Sequence, residues 1–320
     1  MYTLYGGELS LFTRKLEAAL IFYGASYEFV PKAEADGELL EIRSGSHQVP
    51  VLKTPENWMI ADTTPILSML DARFPGREMF PAGAMGVLTH VLEEHLDEWI
   101  ARVMVHYRWH YAESTRFASM KIALGDAAAA ARVAEWGPRA CRATGTGSQQ
   151  QQRAAEAEYV RLLEAAEAQL KDTAFLLGDR PTAVDCMVLG GLRAHTYMDP
   201  DPKKVVAGFP TVVEWAQTRA DRWAGDGDLV SLPQSTPFAR HLLSEMAETY
   251  VRFALGNRDA LAAGAKAFHA EIYDEQVSYL VRAYPERSRQ MVVDTVGRLA
   301  GDDRVESLLT TYNLKAAFAE

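Results

Sequence analysis

An α/β unit followed by a longer all-helical unit is the fold class this sequence predicts, and three observations predict it. Over residues 1–76, short β-prone runs alternate with an amphipathic helical run. Beyond Gly76, apolar residues recur at helical spacing through long stretches. The 320 residues, 48% of them hydrophobic, suffice for about two compact cores.

Within the first unit, Tyr2–Tyr5, Tyr27–Val30, Val51–Lys53 and Trp58–Ile60 read as strands. Between the first two, Phe12, Leu16, Ala19, Leu20 and Tyr23 recur at three- and four-residue steps with Arg14, Lys15 and Glu17 between them, and Gly24 ends the run. That helix buries one face against a sheet. Thr54-Pro55-Glu56-Asn57 suits an antiparallel hairpin, and a helix opens near Thr63 or Thr64 with Pro65 in its first turn. Helical periodicity then covers about 86–111, 151–170, 182–195 and 210–223. Between the first two of these, Ala127–Ala131 is helix-prone, and Gly137-Pro138 with Thr144–Ser148 and four glutamines reads as a surface loop. A third block starts near Ser231. It holds an amphipathic helix over Thr236–Ala254, a small hairpin of Phe268–Ile272 and Gln276–Leu280, and a helix around Ser288–Ala300. The expected organisation is therefore 1–76, 84–230 and an extension over 231–320.

Lysine and arginine number 33 against 43 aspartates and glutamates, a formal charge of −10 that repels polyanions, so nucleic acid is not an expected partner. Two cysteines, Cys141 and Cys186, make neither a disulfide framework nor a paired metal-ligand spacing, which suits a reducing compartment. The chain starts directly on a strand-like pattern, and charges interrupt every apolar stretch well before the roughly 18 residues a membrane span needs. A cytoplasmic protein with no membrane partner is the expectation.

Three segments carry chemistry. In Tyr5-Gly6-Gly7-Glu8-Leu9-Ser10-Leu11-Phe12, Ser10 stands at a helix N-terminus, where a hydroxyl and unpaired N–H groups favour a thiolate over a thiol; serine is equally a preferred cap. In Ser46-His47-Gln48-Val49-Pro50-Val51, a proline precedes a strand. A cis bond there would turn the Val49 backbone toward an extended peptide ligand, and a trans bond is the commoner form. In Ala61-Asp62-Thr63-Thr64-Pro65, an acid and a hydroxyl open a helix; they either bind a ligand's ammonium and carboxylate or simply cap.

Taken together, these segments resemble the cytosolic glutathione transferases over residues 1 to about 225. The resemblance implies a thioredoxin-like first domain, an all-α second domain and a mostly helical C-terminal extension. It further implies glutathione as co-substrate, a small apolar electrophile as second substrate, and a homodimer. Ser10 matches the thiol-activating position of the serine-type classes, with Tyr5 second and Thr13 third. Gln48, Val49 and Pro50 match the loop that holds the cysteinyl part, Asp62 and Thr63 the pair that binds the γ-glutamyl end, and His47 a basic position near the glycyl carboxylate. Leu11 stands where the family often has proline, and Thr13 replaces a frequent serine or cysteine. Without a cysteine there, a mixed disulfide cannot form. Phe175–Asp185 is similar to the family's helix-capping segment, with Thr182 and Asp185 as a capping box.

Other candidates fall away. His90 and His95 are five apart and face different sides of a helix; His106 and His110 share a face but have no third ligand, so no metal is expected. Tyr107 and Tyr111 either pack the core or line the second-substrate site. Two rivals remain compatible with the same residues: an isomerase or lyase that returns its glutathione, and a non-catalytic binding or scaffold protein.

Overall fold

The structure is a computed structural model, and it describes residues 1–319. A thioredoxin-like unit comes first. Its elements are β1 (Tyr2–Gly6), α1 (Leu11–Tyr23), β2 (Tyr27–Pro31), α2 (Gly37–Ser44), β3 (Val51–Lys53), β4 (Met59–Ala61) and α3 (Thr63–Asp71). The sheet runs β2-β1-β3-β4; β1 pairs parallel to β2 with Leu4 opposite Phe29, and antiparallel to β3 with Leu4 opposite Leu52. The periodicity of α1 is realised: Leu16, Ala19 and Leu20 are wholly buried, and Gly24 closes the helix in the left-handed conformation. The β3–β4 hairpin forms as expected, with Asn57 at positive φ in its turn.

The long helical run comprises α4 (Ala84–Glu94), a π-helical turn over His95–Ile100, and α5 (Ala101–His110). After α6 (Ala112–Ile122) the structure departs from the loop expected over Gly137–Ser148. The chain forms α7 (Ala127–Ala134) and α8 (Trp136–Ala143), and the four glutamines open α9 (Gln149–Asp172). Pro138 sits in the first turn of α8, where no intrahelical N–H is needed, so it does not break the helix. What remains of the loop is Thr144–Ser148, and it is pinned: Thr146 is buried, and a side chain at Gly145 would meet the Tyr279 ring at 2.4 Å.

Helices α10 (Ala183–Gly191), α11 (Pro200–Val206) and α12 (Pro210–Glu214) complete this part. Helix α10 lies directly on α1; at Gly190 a Cβ would come within 2.5 Å of the Leu11 carbonyl, so glycine sets the closeness of the crossing. The Thr182–Asp185 capping box is present. Asp185 is fully buried and accepts from the backbone N–H of Leu176 and of Thr182, both at 2.8 Å. Asp185→Ala strands those donors, so we expect a loss of about 2 kcal/mol. A fall in melting temperature with ligand affinity retained would show it, and an unchanged melting temperature would refute it.

The C-terminal segment is mostly helical: α13 (Pro237–Met246), α14 (Tyr250–Ala262), the hairpin β5 (Ala267–Ile272) and β6 (Glu275–Leu280), α15 (Ala283–Gly297), α16 (Asp303–Thr311) and α17 (Lys315–Phe318). The amphipathic run expected as one helix over 236–254 is broken at Thr249, where φ is −123° and ψ −88°. The hairpin forms, with Tyr273 and Asp274 both at positive φ in a two-residue turn. This segment shares the core of the rest. Phe238, Leu243, Met246, Tyr250 and Phe318 are completely buried, α15 and α16 pack on α4, and Tyr250 donates to Glu94 at 2.7 Å.

Candidate functional site

A cleft of about 580 Å³ opens where the three parts meet. The first unit contributes the Ser44–Pro50 loop, the start of α3 and the start of α1. The π turn and α5 contribute Asp97, Glu98, Trp99, Arg102 and Val105, and the C-terminal segment Phe253, Tyr279, Arg282, Tyr284 and Arg287.

Most of the residues singled out by sequence converge here. His47, Gln48, Val49, Pro50, Asp62 and Thr63 all line the cleft. The Val49–Pro50 bond is cis, and the Val49 backbone has no hydrogen-bond partner among the described residues. His47 and Gln48 are exposed at the rim. Asp62 adopts φ 77°, a conformation most residues avoid, and its carboxylate accepts from the Tyr284 hydroxyl at 2.5 Å. Burial raises the Asp62 pKa; the Tyr284 hydrogen bond and the positive charge of Lys15 work against that rise.

Ser10 and Tyr5 lie outside the cleft lining; both are half-buried, and Leu11 and Phe12 face the cavity in their place. Ser10 Oγ accepts from the Thr13 N–H at 3.2 Å, so it caps α1. The N–H groups of Leu11 and Phe12 have no partner among the described residues, which leaves the donors of the helix start free at the cavity wall. Thr13 is buried and accepts from the Gly7 N–H at 3.2 Å, which removes it from the cleft. Tyr107 and Tyr111 stack on each other at 5.6 Å and pack the core; Arg102 and Val105 of the same helix line the cleft instead.

Sequence reasoning did not find the contribution of the C-terminal segment. Arg282, Tyr284 and Arg287 straddle the start of α15, and no local pattern marks them as cleft residues or joins Tyr284 to Asp62, more than two hundred positions earlier. It also missed the π turn, whose extra residue places Asp97, Glu98 and Trp99 at the cavity.

Beneath the cleft, Lys15 is fully buried, in ion pairs with Glu93 and with Asp97 at 2.7 Å. Burial pushes Asp97 up to about 6, with Lys15 opposing. The Glu98 side chain is 5% exposed, and burial, reinforced by Asp97, pushes it up to about 8. Between about pH 6.5 and pH 8 the folded chain thus holds a proton on Glu98 that the unfolded chain releases, so stability should fall with rising pH by roughly 1.4 kcal/mol per unit. Below that window buried neutral His90, His95 and His195, held down to about 4, 3 and 4 by burial, oppose further gain, because unfolding lets them charge. Burial raises the Glu94 carboxyl as well, so denaturant unfolding at the two ends of the window should show a slope that Glu98→Gln lessens without abolishing; an equal slope in the variant would assign it elsewhere.

Among the described residues no helix is long and apolar enough to cross a membrane, and no group of three or more His, Cys, Asp or Glu is placed to hold a metal ion. Both cysteines are free and buried.

Two models of one family match the chain: glutathione S-transferase, N-terminal domain, over residues 4–78, and glutathione S-transferase, C-terminal domain, over residues 114–222. Among solved structures, the chain is similar to the beta-etherase LigF from Sphingobium sp. strain SYK-6, at 16% identity and a TM-score of 0.51, over 70% of this chain and 96% of that one. It is also similar to a glutathione S-transferase from Rhodospirillum rubrum F11, at 20% identity and a TM-score of 0.48, over 76% of this chain and 98% of that one. A third, from Methylobacterium radiotolerans in complex with glutathione sulfonate, is 20% identical over 70% of this chain and 92% of its own, with a TM-score of 0.45. No curated protein matches the chain.

Proposed function

The chain belongs to the glutathione S-transferase family, and on that premise we propose that it transfers or adds glutathione to a small, largely apolar electrophile. One observation carries this reading: the Val49 backbone, the Asp62–Thr63 pair and the free amides of Leu11 and Phe12 line one cleft. They fit the tripeptide in order. Asp62 takes the ammonium of the γ-glutamyl end. The Thr63 hydroxyl and the start of α3 take its carboxylate. The Val49 N–H and C=O pair with the cysteinyl backbone, and His47 and Gln48 stand at the glycyl end.

When bound, glutathione supplies a sulfur nucleophile. The chain's own part is to lower the cost of its negative charge. The Leu11 and Phe12 amides, at the positive end of the α1 dipole, do this at the cavity wall; the Ser10 hydroxyl, one residue earlier and outside the cleft lining, can add to it only by turning its proton toward the sulfur while its oxygen accepts from Thr13. Leu11, Phe12, Trp99, Val105 and Phe253 offer the apolar wall for the second substrate. Tyr5 is the alternative hydroxyl.

The serine-type assignment, the 1–76, 84–230 and 231–320 domain limits, the homodimer and the cytoplasmic location belong to the same proposal. The free buried cysteines and the net charge of −10 support a reducing compartment without nucleic-acid or membrane partners. Calorimetry with glutathione and turnover of chlorodinitrobenzene test the function; no binding at millimolar concentration would turn the reading to a non-catalytic scaffold. Ser10→Ala should cost about 1 kcal/mol of stability as a lost cap. If Ser10 also serves the sulfur, the pKa of bound thiol, read by thiolate ultraviolet absorbance, should rise by about one unit, which corresponds to about 1.4 kcal/mol. An unchanged thiol pKa would leave the amides as the sole donors.

A further inference from the structure

We infer that the second substrate of this cleft is an aromatic carboxylate, its ring against Trp99 and Phe253 and its anion held by Arg102, Tyr279 and Arg282. The inference rests on the glutathione-dependent reading above and narrows it. Trp99 and Phe253 lie 6.0 Å apart between ring centroids, tilted at 53°, and both line the cleft. Around this pair stand cationic and hydroxyl donors. The Arg102 guanidinium lies 4.3 Å from the Trp99 ring and is 3% exposed. It spends Nε and Nη2 on Glu158, at 3.2 and 2.7 Å, while its buried Nη1 has no partner among the described residues. Tyr279, 2% exposed, lies edge-on to Phe253 at 5.2 Å, and its hydroxyl, likewise buried without a partner, lies beside Gly145, next to Thr144 of the cleft lining. Arg282 lies 6.0 Å from the same Phe253 ring.

Two buried donors left unpaired cost about 1–3 kcal/mol each, so a site that keeps them is built for something that accepts from them. Two unpaired donors beside aromatic faces and a second guanidinium match a planar carboxylate on a ring. The acids nearby do not already fill that role. Glu158 is committed to Arg102, Asp97 pairs with Lys15 at 2.7 Å, and Glu98, 3.7 Å from Arg282, is pushed up to about 8 by burial and is largely uncharged at neutral pH. Asp62 accepts from Tyr284 and faces the tripeptide's ammonium in the reading above. Tyr279 itself is pushed up to about 12 by burial, with Arg102 opposing, so its hydroxyl keeps its proton and donates.

With chlorodinitrobenzoate as co-substrate the step balances simply. The sulfur forms a bond to the ring carbon that bears chlorine, chloride leaves with the C–Cl bonding pair, and the thiol proton passes to solvent.

The test uses the full chain saturated with glutathione and titrated calorimetrically with dinitrobenzoate, which cannot react, and with dinitrobenzene, the same ring without the anion. We expect dinitrobenzoate to bind at least tenfold tighter. Tyr279→Phe and Arg282→Gln should each weaken it at least fivefold and change dinitrobenzene by less than twofold. These two are preferred because Arg102→Gln also strips a buried partner from Glu158. Equal affinity for the two rings overturns the inference. So does a parallel loss of glutathione affinity in the variants, which would assign the donors to the tripeptide's own carboxylates. Should glutathione fail to bind while dinitrobenzoate binds with this dependence on Tyr279 and Arg282, the anion site stands and the transferase reading falls.

Discussion

Lys15→Met is expected to cost about 3–5 kcal/mol, the price of removing one partner from a buried ion pair and the largest stability loss of any substitution proposed for this chain. Lys15 is on α1 and fully buried; Glu93 and Asp97 lie across the junction on the long helix of the second part, so the triad ties the two together. Glu93 also accepts from the Thr64 hydroxyl at 2.9 Å, at the start of α3. Methionine fills the space and leaves two carboxylates buried without a countercharge. Since a domain's whole stability is about 5–15 kcal/mol, a loss of this size removes between roughly a fifth and all of it.

The pH response separates this account from a simple packing defect. Asp97 stands at about 6 even with Lys15 beside it, because burial outweighs the attraction. Without the cation its pKa rises further, and a carboxyl raised in the folded state contributes stability only where it is protonated. The variant should therefore regain stability as the pH falls from 8 toward that value, and Asp97→Asn on top of Lys15→Met should recover part of the loss without any change of pH. Denaturant unfolding of the wild type and both variants checks this. A loss below about 1 kcal/mol, the range of a surface pair, would mean that the triad is hydrated.

Asp62→Asn is expected to lower the affinity for glutathione by about a hundredfold. The amide keeps the shape and tolerates the positive φ of 77° better than most residues, so the fold survives. It cannot pair with an ammonium, and loss of a charge-assisted hydrogen bond of about 2–3 kcal/mol corresponds to that factor. The wild type should also bind more weakly as the pH falls, because burial raises the Asp62 pKa and binding needs the ionised form. Tyr284 opposes the rise through its hydrogen bond, while the Asn variant has nothing there to titrate. Calorimetry across the acid range reads both effects; a loss of less than tenfold, or an unaltered acid limb in the variant, would remove Asp62 from the ammonium site.

Much of the architecture was legible in short windows. The spacing of Leu16, Ala19 and Leu20, the closing Gly24, the Thr182–Asp185 box and the hairpin around Tyr273 each encode a local conformation through contacts within a few residues, although the hairpin's turn is one residue tighter than the Tyr-Asp-Glu turn the sequence suggests, with Glu275 already paired. The Val49-Pro50 and Asp62-Thr63 segments were legible for the same reason: a bend before a strand and a helix start are local devices, and both line the cleft. The stretch around Gly137-Pro138 misled because the breaker falls in a helix's first turn, and a helix boundary is the least legible local feature. Ser10 shows the limit of a motif. Its position at the helix start was right, while whether the side chain or the bare amides face the cavity depends on how the turn is seated.

The amino-acid sequence by itself determined most of the order of elements, the family and the segments proposed to hold an extended tripeptide, because helical period, caps and turns act between neighbours in the chain. Tertiary structure alone decided that the segment from Ser231 to Ala319 shares the core, that the long helix takes a π turn over His95–Ile100, and that Tyr279, Arg282 and Tyr284 come to the cleft lined by Trp99 and Asp62. These contacts join residues far apart in the chain, and they follow from how buried volumes and charges fit together, which no short window of sequence contains.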